Sequence, residues 1–282
     1  MAFSINVNES ALSALRNLNI TSKALNETQT HINTGLKISS SKDNAAIFSI
    51  AQKLRGDLRG FNAVKQSLDR GISTTDIALA AAGSISDLLI EMKEKAVAAA
   101  DQGLDSISRG ALNQDFVTLR DQISTIINNA SFNGTNLIDG GLDQIVAITN
   151  PDATQTITVA HQNLIPGAIV PPATSAIVTI GLAEVIDSQP AAAAAVVKLI
   201  ASLDNVNSAL TSLGAGATSL ENNRTFAEKI SDVIEVGIGN LVDADMAKES
   251  ANLQALQVKQ QLGIQALSIA NQSPQSILSL FQ

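Results

Sequence analysis

The sequence predicts a mainly α protein, a long antiparallel coiled-coil-like helical rod with paired terminal helices and a small β-containing insert. Apolar residues recur at alternating spacings of three and four over most of the 282 residues, as in helices that wind around a neighbour. Five of the six prolines fall between Pro151 and Pro190, so the strongest helix breakers are confined to one segment. Aromatic residues number only seven, all Phe, which favours slender helix-on-helix packing over a globular pocket.

Two helices are predicted at the start of the chain. The first runs from about residue 8 to residue 36. A polar break at residues 39–43 follows, and either Ser41 or Asp43 is expected to cap the next helix. That second helix continues without proline from residue 44 to about residue 100, a length of roughly 80 Å.

A third helix is predicted after a turn around Gly103, and it ends at Asn133-Gly134, a strong signal for a tight turn. The composition then changes. Residues 141–190 are predicted to form a mostly β insert, with β-rich runs at residues 154–160 and 177–180. Alternation of polar and apolar residues favours a strand within the first of these runs.

The helical pattern returns after Pro190, breaks at Gly237 and Gly239, and resumes in a terminal helix from about residue 243 to residue 271, just before Pro274. The apolar residues of this terminal helix form two stripes. The first stripe consists of Ala244, Ala247, Ala251, Ala255, Val258, Leu262, Ala266 and Ile269. The second consists of Leu253, Leu256, Gly263, Leu267 and Ala270. Two stripes require partners on two sides, so we predict antiparallel pairing with the first helix and burial of the other stripe by neighbouring copies.

These patterns divide the chain into five segments. They are an N-terminal helix (1–40), an N-terminal part of the rod (41–140), the insert (141–190), a C-terminal part of the rod (191–240) and a C-terminal helix (241–282).

The sequence contains no motif typical of a catalytic site, a metal site or a cofactor site. The two histidines, His31 and His161, lie on different predicted elements, and His31 is expected on a helix surface. Neither a His-Glu-x-x-His pair nor a glycine-rich phosphate loop occurs. Asp243 and Asp245 fit the start of a helix, where the dipole favours acids. We therefore expect no enzyme activity, no cofactor and no bound metal.

Nucleic acid and membrane are also excluded as partners. The net charge is −8, whereas a nucleic-acid binder needs a basic surface. No run of apolar residues approaches the length of a membrane span. No Lys or Arg follows Lys259, which argues against a membrane-active amphipathic helix. The N-terminus lacks the basic start and apolar run of a cleaved signal peptide.

Motifs near both ends resemble those of bacterial flagellins. They occur in the family's order and cover roughly 1–140 and 200–282, which leaves the insert unmatched, as expected for the family's variable outer domain. The N-terminal signature matches residues 32–38 (INTGLKI) and 41–46 (SKDNAA), the turn after the second rod helix matches residues 131–138 (SFNGTNLI), and the closing signature matches residues 243–249 (DADMAKE) and 266–275 (ALSIANQSPQ).

The resemblance implies a subunit that polymerises into the flagellar filament for motility, with its terminal helices packed in the filament core. It also implies export without a cleaved signal peptide to an extracellular flagellum. The implied partners are other copies of the chain, an export chaperone, and cap and hook-junction proteins. The residues expected at the polymerisation interface are Leu15, Leu18, Leu25, Ile32, Leu253, Leu256, Val258, Leu262, Leu267 and Ile269.

Recognition by the innate immune receptor of animals, a property of many flagellins, is not expected of this chain. The second half of the long helix aligns with the region that many flagellins present to this receptor. Within that region, Glu91 occupies a position that usually holds arginine, and Lys95 occupies a position that usually holds leucine.

Two alternative functions fit the same terminal motifs. One is a hook–filament junction protein, and the other is a flagellin-like surface protein with a glycan-binding insert. Residues 140–190 contain no aromatic side chain on which a sugar could stack, which disfavours the second.

Overall fold

The computed structural model describes residues 8–167 and 177–278, with side chains as far as residue 272. The described residues form five helices, which are α1 (Glu9–Thr34), α2 (Ala45–Ala99), α3 (Ser106–Asn129), α4 (Gln189–Val242) and α5 (Met246–Leu278). Two small antiparallel sheets pair β1 (Ser131–Phe132) with β2 (Thr135–Asn136) and β3 (Ile145–Ile148) with β4 (Thr156–Val159). The predicted mainly α fold is confirmed.

Polar side chains define the helix ends. Asn8 caps α1 by accepting a hydrogen bond from the amide of Ala11, and Gly35 ends the same helix with a φ of 72° that suits glycine. Asn44, rather than Ser41 or Asp43, caps α2, because its side-chain oxygen accepts from the amides of Ala46 and Ile47. The expectation for Ser41 and Asp43 was therefore wrong.

The chain divides into two compact units, and the first comprises the residues up to Gly56 and from Val233 onward. In this unit α1 and α5 pack side by side, and they are antiparallel because Asn8 contacts Ala270 while His31 contacts Glu249. The connecting segments also pair, through a bridge between Leu36 and Asp243. The predicted pairing of the terminal helices is confirmed.

The break before the last helix lies later than predicted. Helix α4 continues through Gly237 and Gly239 to Val242, since a helix tolerates a glycine at a cost of only about 1 kcal/mol. The break falls at residues 243–245, where the carboxylate of Asp245 accepts from the amides of Ala247 and Lys248 and so caps α5.

Pro274 does not end α5, which continues to Leu278. A proline has no N–H to give to the carbonyl four residues earlier, and here that carbonyl belongs to Ala270. The Ala270 oxygen instead accepts a hydrogen bond of 2.7 Å from Nδ2 of Asn8. The neighbouring helix thus satisfies the group that the proline leaves without an intrahelical donor.

The second unit runs from Asp57 to Asp232 and contains one hydrophobic core built from α2, α3, α4 and the insert. Phe116, Leu68 and Leu137 are among its largest fully buried side chains. Lys95 and Asp115 form an ion pair of 3.3 Å between α2 and α3.

The β3–β4 hairpin packs on α2 and α4 where these helices have glycines. A Cβ at Gly60 would lie 2.5 Å from Cβ of Pro151, and one at Gly216 would lie 2.9 Å from a methyl of Val159. At Gly71 the corresponding distance, to a methyl of Ile145, is 3.1 Å. The glycines therefore allow an approach that a larger residue would obstruct.

The expectation of a mostly β insert was wrong for the described residues. The run at 177–180 forms no strand, although Val178 and Ile180 are buried. Side chains of α4 supply part of its hydrogen bonding, because the hydroxyl of Ser202 accepts from the amide of Thr179 at 3.0 Å and Asn205 donates to the carbonyl of Ile177. The backbone of residues 163–167 supplies another part, because the amide of Ile177 donates to the carbonyl of residue 163 at 3.1 Å and the carbonyl of Val178 accepts from the amide of residue 167 at 2.9 Å. The segment thus satisfies its backbone with a mixture of helix side chains and neighbouring loop backbone, without the regular ladder of a β-strand.

Candidate interaction surface of the terminal helices

One face of α5 packs on α1. Along this face the residues are half-buried and step by three or four positions once Gln260 is included, and the others coincide with the second predicted stripe: Leu253, Leu256, Gly263, Leu267 and Ala270. The contact is close at Gly263, where an added Cβ would lie 3.2 Å from a methyl carbon of Leu18. The glycine lets the two helices approach along an otherwise leucine-rich face.

The facing seam of α1 differs in part from the prediction. Leu18 and Ile32 are half-buried and Leu25 is buried, as expected for seam residues. Leu15 is exposed, and Ala14 lies half-buried in its place. An α-helix has 3.6 residues per turn, so its buried face drifts away from a strict 3.5-residue repeat, and Ala14 rather than Leu15 faces the seam. The small side chain of Ala14 also allows the two helices to pack closely.

The opposite face of α5 is apolar and exposed. Val258 is 55% exposed, Leu262 57% and Ile269 70%. The remaining exposed members of this outward stripe are Ala247, Ala251, Ala255 and Ala266. Leu12 and Ile20 on α1 are exposed as well. The terminal pair thus presents an apolar surface that α1 and α5 do not cover for each other.

The structure therefore separates the ten predicted interface residues into two groups. Six belong to the contact within the pair: Leu18, Leu25, Ile32, Leu253, Leu256 and Leu267. Four are exposed and can meet another molecule: Leu15, Val258, Leu262 and Ile269. Sequence reasoning missed the exposed Leu12, Ile20 and Ile264, because these residues stand outside the repeating seams that it followed.

Polar contacts lie at both ends of the pair. At one end Asn8 bonds to the carbonyl of Ala270. At the other end Nδ1 of His31 lies 3.6 Å from a carboxylate oxygen of Glu249, and the two side chains are only 13% and 16% exposed. His31 thus lies in the interface between the helices, and its expected place on the helix surface was wrong. Contacts at both ends fix the register of α1 on α5.

A carboxylate organises the turn between α1 and α2. The side chain of Asp43 accepts from the amides of Ser39 and Ser40, each at 2.9 Å. These backbone hydrogen bonds, the one from Ser40 first, lower the pKa of Asp43 below its ordinary value, because they stabilise the charged form. The turn is therefore built around an ionised carboxylate at neutral pH.

Within residues 8–167 and 177–272, no group of three or more His, Asp or Glu side chains is arranged to hold a metal ion. None of the helices, as far as the structure describes them, has the length and apolar character that crossing a membrane requires. What the terminal pair offers is a long apolar surface, which suits association through burial of that surface.

Comparison with known proteins identifies the same two ends of the chain. The family model for the bacterial flagellin N-terminal helical region matches residues 5–143, and the model for the C-terminal helical region matches residues 196–281. The segment between them corresponds to most of the insert.

Full-length relatives are flagellins. Flagellin FljM of Caulobacter vibrioides is 47% identical to this chain over 279 residues, which cover 99% of the chain and 98% of the relative. A flagellin of Brucella melitensis is 36% identical to this chain over 285 residues, which cover 99% of the chain and 99% of the relative. A solved structure of a flagellar hook-associated protein from Vibrio parahaemolyticus has a TM-score of 0.53, with 71% of this chain and 100% of that chain covered. Its 14% identity limits that likeness to the fold. The chain therefore belongs to the bacterial flagellin family, and it is a structural subunit of the flagellar filament and not an enzyme.

Proposed function

We propose that the chain joins the filament by burying the outward stripe of α5, together with Leu12, Leu15 and Ile20 of α1, against neighbouring copies. The exposure of Val258, Leu262 and Ile269 carries this proposal. Burial of one such aliphatic side chain stabilises a contact by about 1.5–3 kcal/mol. Several of them along one helix favour a stable contact once the loss of freedom on association is included.

The two groups of interface residues have different roles in this proposal. The residues between α1 and α5 hold the pair together within one subunit, and the exposed residues join subunits. A contact in which one surface patch meets a different patch on the next copy leaves free patches at both ends, so it generates an open helical array. Such an array can grow without a fixed number of subunits, as a filament must.

We also propose that the exposed stripe requires partners before assembly. We expect an export chaperone to cover α5, because an uncovered apolar helix face promotes unwanted association. We also expect passage through the flagellar export channel without a cleaved signal peptide. Beyond the channel, assembly is expected beneath a cap protein and onto hook-junction proteins. The flagellum lies outside the cell, which is where the assembled subunit acts.

Seeded growth tests the proposed role of the outward stripe. A Leu262→Asp variant places a charge on the stripe, and burial of an unpaired charge costs several kcal/mol. We expect this variant to keep the helix content of the unaltered chain and to fail to elongate filament seeds in electron micrographs. Gln257→Asp is the matched control, since it adds the same charge at an exposed polar position of α5. Normal filaments from Leu262→Asp would disprove the proposal.

A further inference from the structure

A polar cleft lies in the second unit. Its volume is about 180 Å³, and its walls are α2, the turn between β1 and β2, and the start of β3. The polar side chains at its surface are those of Ser67, Arg70, Thr74, Asn133, Thr135 and Gln144. The filament contact proposed above does not use this cleft.

Hydrogen bonds hold the turn that forms one wall. Asn133 and Gly134 both have positive φ, at 50° and 82°, as the two central residues of a type I′ turn require. The buried Asn136 fixes this turn to α3, because its Nδ2 donates to the carbonyl of Ile127 at 2.7 Å and its Oδ1 accepts from the amide of Ile138. Asn133 is therefore presented at the cleft by a rigid support.

The other two walls are fixed to each other. The amide of Ile148 on β3 donates to the hydroxyl of Ser67 on α2. Ile145, at the start of the same strand, approaches Gly71 of α2 closely. The cleft is thus formed in the isolated subunit, and a ligand would bind it without a large cost of ordering.

Electrostatics favour a negative ligand. Arg70 carries the one charge among the described lining residues. Within residues 8–167 and 177–272, its exposed guanidinium forms no ion pair. The exposed side chains of Asn133 and Gln144 add amide donors to the same lining. A guanidinium with neighbouring amide donors matches the planar, two-oxygen shape of a carboxylate.

We propose that this cleft binds the carboxylate of an Asp or Glu side chain from a second copy of the chain. The proposal rests on the filament function. Small-molecule pockets usually measure about 300–1,000 Å³, so a cleft of about 180 Å³ suits the end of a side chain better than a free ligand. The chain has 26 acidic and 18 basic residues, so crowded copies repel each other. An Arg–carboxylate contact between copies offsets part of that repulsion.

The critical concentration for seeded growth tests the contribution of Arg70. Arg70→Gln removes the charge and keeps a long polar side chain. Loss of a hydrogen bond to a charged group corresponds to about a tenfold change in an equilibrium constant, so we expect about a tenfold rise in critical concentration. Arg59→Gln is the matched control, because Arg59 is also exposed on α2 but does not line the cleft. Equal critical concentrations for the two variants would overturn the proposal.

Cross-linking identifies the occupant. Arg70→Lys places a primary amine in the cleft, and a carbodiimide reagent then joins this amine to a contacting carboxylate as an amide, with loss of water. Filaments grown from a mixture of ¹⁴N- and ¹⁵N-labelled chains should yield cross-linked peptides of mixed label at position 70. Cross-links confined to one chain, or none at that position, would overturn the proposal. Growth of the unaltered chain in the same assay shows that such a failure concerns the cleft and not the filament function.

Discussion

At the residue scale, Asn8 has two structural roles that a sequence motif would not reveal together. Its Oδ1 caps α1 by accepting from the amide of Ala11. Its Nδ2 donates to the carbonyl of Ala270, which Pro274 leaves without an intrahelical donor. One side chain therefore starts the first helix and allows the last helix to continue past a proline.

An Asn8→Asp substitution separates these two roles. Aspartate still caps a helix well, but it cannot donate to the carbonyl of Ala270. We expect α5 to lose about 1 kcal/mol of protection near Ala270, measured by amide hydrogen exchange, while the start of α1 stays protected. Asn17→Asp, the same change at an exposed position of α1, should leave exchange near Ala270 unchanged. Equal exchange in the two variants would assign no role to the Asn8 donor.

At the element scale, the helices tolerate or require glycine according to what lies beside it. Nothing lies within 4 Å of the position that a Cβ at Gly83 would occupy. At Gly60 and Gly216 the added carbon would meet Pro151 and Val159 of the hairpin at 3.0 Å or less. The proline ring and the β-branched valine are stiff, so the hairpin as a whole would have to move.

Alanine substitutions should therefore have opposite effects at these positions. We expect Gly83→Ala to raise the free energy of unfolding by up to about 1 kcal/mol, through helix propensity alone. We expect Gly60→Ala and Gly216→Ala to lower it by about 1–2 kcal/mol, because overpacking exceeds that gain. Urea unfolding measures the free energy, and hydrogen exchange of β3 and β4 reports on hairpin displacement. Stabilisation by all three variants would contradict the close packing of the hairpin.

Much of the element layout follows from apolar periodicity and from the placement of proline. These patterns predict α2 to within a residue at each end and predict the pairing of α1 with α5. Errors arise where a distant group satisfies the backbone. Pro274 predicts a helix end because the sequence does not show the donor from Asn8. Residues 177–180 are predicted to form a strand because the sequence does not show that the Ser202 hydroxyl and the backbone of residues 163–167 supply their hydrogen bonds. Local sequence does not contain such contacts.

At the scale of the whole molecule, the sequence predicts two apolar stripes on α5 but cannot assign their partners. The structure shows that Leu253, Leu256 and Leu267 face α1, whereas Val258, Leu262 and Ile269 are exposed. Both stripes are rich in apolar residues, and the choice between them depends on the seam of α1, where Ala14 and Thr28 replace the expected Leu15 and Gln29. A repeat of apolar residues predicts that a face is buried, and only the packed pair shows which face remains for another molecule.

The measurement that tests the central claim most directly is the reactivity of a single thiol on the outward stripe. The chain has no cysteine, so Ala255→Cys introduces one reporter at an exposed, small position. If α5 uses this stripe to join subunits, a maleimide reagent should label the thiol rapidly in the monomer and should fail to label it in seeded filaments. Equal labelling of monomer and filament would show that the stripe stays exposed after assembly, and the proposed role of α5 would be wrong.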